Sequence, residues 1–202
     1  MKERLMIAAV LLLVSIASAL SLAAINNVSF PVIQRNQERQ FKVALLKALE
    51  IPFDSEMPEK AYNIQIEEKS TEEGTLYLTH EDNQKDLPVT GVAFMLKGAG
   101  FWGPLSLIVG LDPADMSIRG LEIFEQEETP GLGARIEEKA FRDQFKGKQI
   151  EKKIIVQIKG AATGPNDVSA ITGATITSKT LEKIINETSR PYIEAMRSLN
   201  NG

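Results

Sequence analysis

Residues 169–180, SAITGATITSKT, gather Ser and Thr hydroxyls around Gly173 and Ala174, immediately ahead of a helix-like pattern. The stretch carries no charge before Lys179. The chemistry it suits is anion binding. A helix N-terminus offers unpaired backbone N–H groups and the positive end of the helix dipole. Gly173 frees the backbone, Ala174 leaves room for close approach, and Thr172, Thr175 and Thr177 add hydroxyl donors. Thr177 or Ser178 is the expected N-cap. The outcome would be a phosphate cradle with little formal charge, Lys179 being the only cation close in sequence. A second reading stays open, because Ser/Thr-rich turns ahead of helices also serve purely as caps. The stretch is not a P-loop: no G-x-x-x-x-G-K-[ST] pattern occurs, so no ATPase chemistry follows. A nucleophilic hydroxyl would need an activating base. The single histidine, His80, sits in a polar run read as a solvated loop, and there is no G-x-S-x-G elbow.

The chain as a whole narrows the choice further. It has 202 residues, enough for one ordinary domain plus an extra segment. Lys+Arg 23 against Asp+Glu 27 gives net charge -4, which offers no basic face for nucleic acid. With no cysteine, disulfides, thiolate metal sites, iron–sulfur clusters and thiol nucleophiles are excluded. No metal ligand set and no catalytic residue is assigned.

Residues 5–25 are uncharged and rich in Leu, Ile, Val and Ala. As a helix they would reach roughly 31 Å, matching a bilayer core. Lys2 and Arg4 precede them, and the next basic residue is Arg35. The positive-inside rule then leaves the start in the cytoplasm and sends the remainder across. A cleaved signal peptide competes, since ASALSLAA offers small residues to a peptidase, but the apolar run exceeds the usual ~7–15 residues. An uncleaved anchor is the reading taken.

Residues 26–33, with Pro31, are expected to form a short spacer of at most about 28 Å. Residues 34–50 read as an amphipathic helix with Phe41, Ala44, Leu45, Ala48 and Leu49 on one side, ended by Pro52. Strand signals follow around Tyr62, Ile64 and Ile66, around Leu76 and Leu78, and over 89–96, 105–111 and 118–124. The glycine-rich turn KGAGFWGP holds Trp102, read as a core or interface residue. Residues 136–146 suit a short helix with Ile136, Ala140, Phe141 and Phe145 on one side. KKIIVQIK reads as a strand, and Leu181, Ile184, Ile185 and Thr188 open a last helix that Pro191 kinks or breaks. This order predicts an α+β class. Residues 160–176 show no pattern at all. A structureless loop of that length between well-patterned elements is usually functional.

These residues resemble a known family. TGAT, followed by ITS and a helix, is similar to the [ST]-G-A-T flavinylation motif of the FMN-binding subunits of membrane redox pumps. Those are the G subunit of the Rnf complex and the C subunit of the sodium-translocating NADH:quinone reductase. GFWGPLSLIVGLDP resembles the family's glycine-rich, Trp-containing turn and strand, and EETPGLGARIEEKAFRDQFKGK its E-T-P-G-L-G segment, helix and exit. With the anchor, the likeness covers nearly the whole chain in order. One position departs: Ser169 stands where the family usually has Asp, three residues before the [ST], and Asp167 lies two positions earlier.

The resemblance implies a mixed or antiparallel-sheet FMN-binding domain with flanking helices behind a transmembrane helix. Its expected divisions are an anchor at 1–25, a juxtamembrane helix and linker at 26–60, and an extracytoplasmic covalent-FMN domain at 61–202. It implies that Thr175 esterifies the FMN phosphate, within a site of Thr172, Gly173, Ala174, Thr177 and Ser178. By the same likeness Gly131 and Gly133 let backbone lie against the flat ring, Leu132 adds an apolar contact, and Thr129 hydrogen-bonds the flavin edge. Glu128, the end of an acidic cluster with Glu125 and Glu127 read as a solvated face, orients the loop. A flavin transferase using FAD is the implied maturation partner, and integral membrane subunits of the redox complex are the working partners. The implied role is an electron relay between ferredoxin and NAD in the inner membrane, a subunit rather than a stand-alone enzyme. The C subunit of the quinone reductase, a cofactor-free anchored binding module and a free-standing flavin reductase are the rivals.

Overall fold

The computed structural model describes residues 1–200 and divides into two compact units, residues 1–40 and 41–202. In the first, helix α1 (Lys2–Ala48) carries an 18-residue window of mean hydropathy 2.6, long and apolar enough to cross a membrane. The large apolar side chains of residues 5–33 are exposed. Ser21 donates its hydroxyl back to the Ala17 carbonyl at 2.8 Å, which satisfies it within an apolar surface. The spacer expected at 26–33 is helical instead, with Pro31 inside α1. A proline forfeits one ladder bond and kinks a helix, but helix-compatible neighbours on both sides carry it through.

In the second unit the end of α1 is anchored by packing. Leu45, Leu46 and Ala48 are fully buried, and a leucine so buried contributes about 1.5–3 kcal/mol. The helix stops by a local turn before Pro52 is reached. Ile51 N–H bonds the Leu46 carbonyl at 2.9 Å and Glu50 N–H bonds Lys47 at 3.1 Å, with Glu50 at φ 57. This is the Schellman pattern, with glutamate where glycine is usual.

Five strands form an antiparallel meander in the order β1-β2-β3-β4-β5: Glu67–Thr71, Gly74–His80, Val89–Ala99, Pro104–Leu111 and Ile118–Gln126. Strand periodicity splits the side chains between two cores. Val92, Phe94, Leu96, Leu105, Leu107 and Val109 face the later helices, whereas Ala93 and Ile108 face the end of α1. Gly110 and Gly120 pair across β4 and β5, and the Ala48 carbonyl fills the space they leave.

Several expectations change. The alternation at Tyr62, Ile64 and Ile66 is a helix, α2 (Pro58–Gln65), with only Tyr62 of the three buried and Ile64 56% exposed. Pro58 at its first turn presets φ for the helix. Strand β1 is the charged segment EEKST, which suits a solvent-facing edge. His80 is no solvated loop residue: it ends β2 with a 9% exposed side chain, Nδ1 lying 2.9 Å from the Leu87 carbonyl and Nε2 2.9 Å from Glu67. The 136–146 helix is broken into α3 (Lys139–Arg142) between 3-10 turns Gly133–Glu137 and Asp143–Phe145, because Glu138 is extended. Phe141 and Phe145 still reach the core from these turns.

The patternless stretch 160–176 also holds structure. Strand β7 (Asp167–Ser169) runs parallel to β6 (Ile155–Gln157), too short a ladder to announce itself in sequence. Helices α4 (Thr175–Thr188) and α5 (Arg190–Asn200) follow, separated only at Ser189.

Candidate functional site

The site begins where β7 delivers the chain to α4. Asp167 accepts Gln157 Nε2–H at 2.9 Å and Gly164 N–H at 3.0 Å, and these bonds hold its carboxyl below the ordinary 3.8. Ser169 N–H donates to Gln144 Oε1 at 2.8 Å, and its hydroxyl accepts Ala162 N–H at 3.0 Å. Both residues therefore brace the strand. A tight turn closes next, from Ala174 N–H to the Ile171 carbonyl at 3.0 Å, with Gly173 at φ +83. Positive φ at this third position is the reason glycine stands there.

Helix α4 starts at Thr175 with Ala174 at the N-cap, three to four residues earlier than expected, and no side-chain cap. Thr177 and Ser178 lie inside its first turns because their hydroxyls have other work. Ser178, fully buried, accepts Ile171 N–H at 3.1 Å and donates to the Ala174 carbonyl at 2.9 Å, stapling the turn to the helix. Thr177 donates to Glu128 Oε2 at 2.9 Å. The first ladder bond of α4 runs from Ser178 N–H to Ala174, so the amides of Thr175, Ile176 and Thr177 precede it. Lys179 pairs with Glu182 at 2.7 Å, on the oxygen that also accepts Val156 N–H.

The facing wall comes from the β3–β4 turn and the segment after β5. Glu128 is only 5% exposed, which removes it from the solvated acidic face expected for 125–128. Its Oε1 accepts Phe101 N–H at 2.6 Å. One carboxylate thus ties the Phe101–Trp102 turn, the ETPGLG segment and the start of α4 together. Glycine is required at Gly133, where a Cβ would sit 2.6 Å from that carboxylate and 2.8 Å from the Thr177 hydroxyl. The Thr129 carbonyl accepts Leu132 and Ala134 N–H, which curls the segment.

Between the walls lies a 420 Å³ cavity, a size proper to small-molecule sites. Of the residues expected here, Glu128, Thr129, Leu132, Gly133, Gly173, Ala174, Thr175 and Thr177 line it. Gly131, Thr172 and Ser178 do not, although Ser178 supports the turn from behind. Phe101, Trp102 and Ile176 line it unforeseen. Trp102 is 67% exposed and meets Phe101 edge-to-face at 5.0 Å, so it is a rim residue and not part of the core. Its place in a glycine-flanked turn was the available signal. The cavity joins aromatic and apolar surface to backbone amides and a half-buried hydroxyl, a donor set that fits a flat heteroaromatic ring bearing a phosphate ester.

The FMN-binding domain family matches residues 100–189, the segment that supplies both walls. That span is a little under half of the chain, and over it the chain is similar to the FMN-binding domain family. Among its relatives, the G subunit of the Na(+)-translocating ferredoxin:NAD(+) oxidoreductase complex of Acetobacterium woodii is 38% identical over 95 residues, 46% of this chain and 44% of that protein. The corresponding G subunit of a proton-translocating complex in Clostridium ljungdahlii is 38% identical over 88 residues, covering 44% and 45%. The C subunit of the Na(+)-translocating NADH-quinone reductase of Yersinia pestis is 30% identical over 117 residues, covering 55% and 43%. The matched stretches thus span less than half of these relatives. The crystal structure of that reductase's C subunit from Parabacteroides distasonis superposes with TM-score 0.67 at 26% identity, over 81% of this chain and 95% of the other. Shewanella oneidensis NqrC shares the fold, with TM-score 0.68 at 14% identity, over 81% and 99%.

Proposed function

We propose that this chain is the FMN-carrying electron-relay subunit of a membrane-bound, ion-translocating ferredoxin:NAD oxidoreductase, with FMN held through a phosphoester on Thr175. The observation that carries this reading is the position of Thr175. It is the first residue of α4, half-buried on the cavity wall, at the end of the TGAT turn and across from Phe101, Trp102 and Leu132. The higher identity to the two G-subunit relatives supports the ferredoxin:NAD reading over the quinone-reductase one.

FMN, when bound, supplies the electron chemistry. The chain's own residues do the rest. Thr175 would contribute one oxygen: with FAD as donor, its Oγ–H bond would give way to an O–P bond to the FMN phosphate, with AMP leaving and the proton passing to solvent. The leading amides of α4 would stabilise the charge the diester keeps, by about 0.3–1 kcal/mol. Leu132, Ile176 and the two aromatics supply apolar surface, and Gly173 adds no side chain of its own to the wall beside Thr175. A flavin transferase performs the loading. The apolar part of α1 spans the inner membrane once, with Lys2 and Arg4 on the cytoplasmic side and the flavin domain on the extracytoplasmic face. Its electron donors and acceptors are integral membrane subunits of the same complex, which also carry the ion path.

Mass spectrometry of the intact protein, made alongside a flavin transferase, tests the proposal. One FMN phosphoester should add to the chain mass, and the denatured band should fluoresce. Thr175→Ala should abolish both. Fluorescence that survives the substitution relocates the bond, and a dark parent chain supports a cofactor-free anchored module instead.

A further inference from the structure

We propose that Glu128 is an uncompensated buried carboxylate that lowers the midpoint potential of the flavin in this cavity. The inference rests on the cofactor reading above. Glu128 lines the cavity, is 5% exposed, and receives two neutral donors, Phe101 N–H at 2.6 Å and Thr177 Oγ1–H at 2.9 Å. Among the described residues it forms no ion pair. Three cations carried on the flanking elements are paired with other carboxylates: Arg142 with Glu122, Arg135 with Glu138 and Lys179 with Glu182. The neighbouring carboxylates add to the same sign, Glu125 beside Ser106 at 3.2 Å and Glu127 against Gly103.

The chain makes room for this group on both sides. A Cβ at Gly100 would lie 2.7 Å from Glu128 Oε1, and one at Gly133 would lie 2.6 Å from Oε2. A hydrogen-bonding bridge between three segments needs only a polar acceptor, and a glutamine would reach as far. The ionisable group has a further effect. Reduction brings negative charge onto the ring, and a carboxylate in a water-poor wall opposes it more strongly than a solvated one. The flavin is thereby made the stronger electron donor. Exposed Glu127 is screened by solvent and opposes it far less.

The test is a redox titration of full-length, transferase-matured protein in detergent, comparing the parent with Glu128→Gln, Glu128→Asp and Glu127→Gln. Glutamine keeps an acceptor for Phe101 N–H, and the Thr177 hydroxyl can rotate to accept its amide. Glu128→Gln should retain covalent FMN and shift the midpoint upward, while Glu127→Gln stays near the parent and Glu128→Asp, keeping the charge, stays low. A fully flavinylated Glu128→Gln protein with the parent's potential overturns the proposal. Should Glu128→Gln take up no flavin, Glu128→Asp decides: a low potential supports the idea, whereas a raised potential or a second empty protein leaves Glu128 a structural bridge only. A parent without bound FMN would sink the cofactor reading first and this inference with it.

Discussion

Gly110→Ala is the sharpest test of how α1 meets the sheet. The added Cβ would stand 2.1 Å from the Ala48 carbonyl oxygen, 2.6 Å from its carbon and 3.1 Å from Leu49 N. An ordinary carbon–oxygen contact is about 3.3–3.6 Å, so the helix end must retreat by roughly 1 Å. It has no slack, because Leu45, Leu46 and Ala48 are fully buried and Leu49 is 3% exposed. The space opposite cannot absorb the shift either, since a Cβ at Gly120 would already lie 2.7 Å from the same oxygen. Forced overpacking of this kind costs about 1–3 kcal/mol, and the backbone identity of the clashing atom puts it at the upper end. A loss of about 3 kcal/mol lowers Tm by roughly 6–12 °C at this size. The effect on the unfolded chain has the opposite sign, since Gly→Ala there stabilises by about 0.4–1 kcal/mol. Circular dichroism melts of the full-length protein in detergent give the answer. A Gly110→Ala protein melting at or above the parent temperature would mean that Ala48 does not rest on the glycine pair.

Three further outcomes can be checked. Ser178→Ala should strand the Ile171 N–H, cost about 1–3 kcal/mol by chemical denaturation, and reduce the fraction of chain carrying fluorescent flavin. Asp167, whose carboxyl is held below its ordinary 3.8 first by Gln157 and then by Gly164, contributes stability that is fully present above about pH 4 and lost as pH falls through its folded value. Asp167→Asn should therefore flatten the acid limb of a stability–pH curve below that point while leaving its neutral-to-alkaline shape alone. Glu50→Gly should remove left-handed strain worth about 1 kcal/mol and lose only the exposed contact to Lys146 at 2.6 Å; a clear fall in Tm would show that this ion pair outweighs the strain.

The parts legible in sequence were those with strong periodicity. Strands β3 to β5, the buried stripe of α1 near Leu45 and the apolar face of α4 follow from the sequence pattern, because β3 and β4 are buried on both faces and read as dense apolar runs, and the others bury one face. Residues 62–66 misled because a two-residue alternation in a short stretch also fits a helix, and of Tyr62, Ile64 and Ile66 only Tyr62 is buried. Strands β1 and β7 escaped for opposite reasons: β1 is a charged edge without an apolar face, and β7 is three residues held by a parallel partner distant in sequence. At the site, Gly173, Ala174 and Thr175 of TGAT and Glu128, Thr129, Leu132 and Gly133 of ETPGLG line one cavity, while Thr172 and Gly131 do not. What spacing could not supply was the bridge from Glu128 to Thr177 and Phe101. It joins residues 49 and 27 positions apart, and only the closed fold brings them within reach.

Among the described residues, those lining the cavity include neither lysine nor arginine. A phosphorylated cofactor arriving from solution would meet amide dipoles and a carboxylate there, so it would leave quickly whenever the surrounding supply ran low. The ester proposed on Thr175 would replace that equilibrium with a load fixed once in the life of the molecule. Such a pocket would separate occupancy from concentration: a chain charged at its birth would stay charged under any dilution, and one that was missed would stay empty.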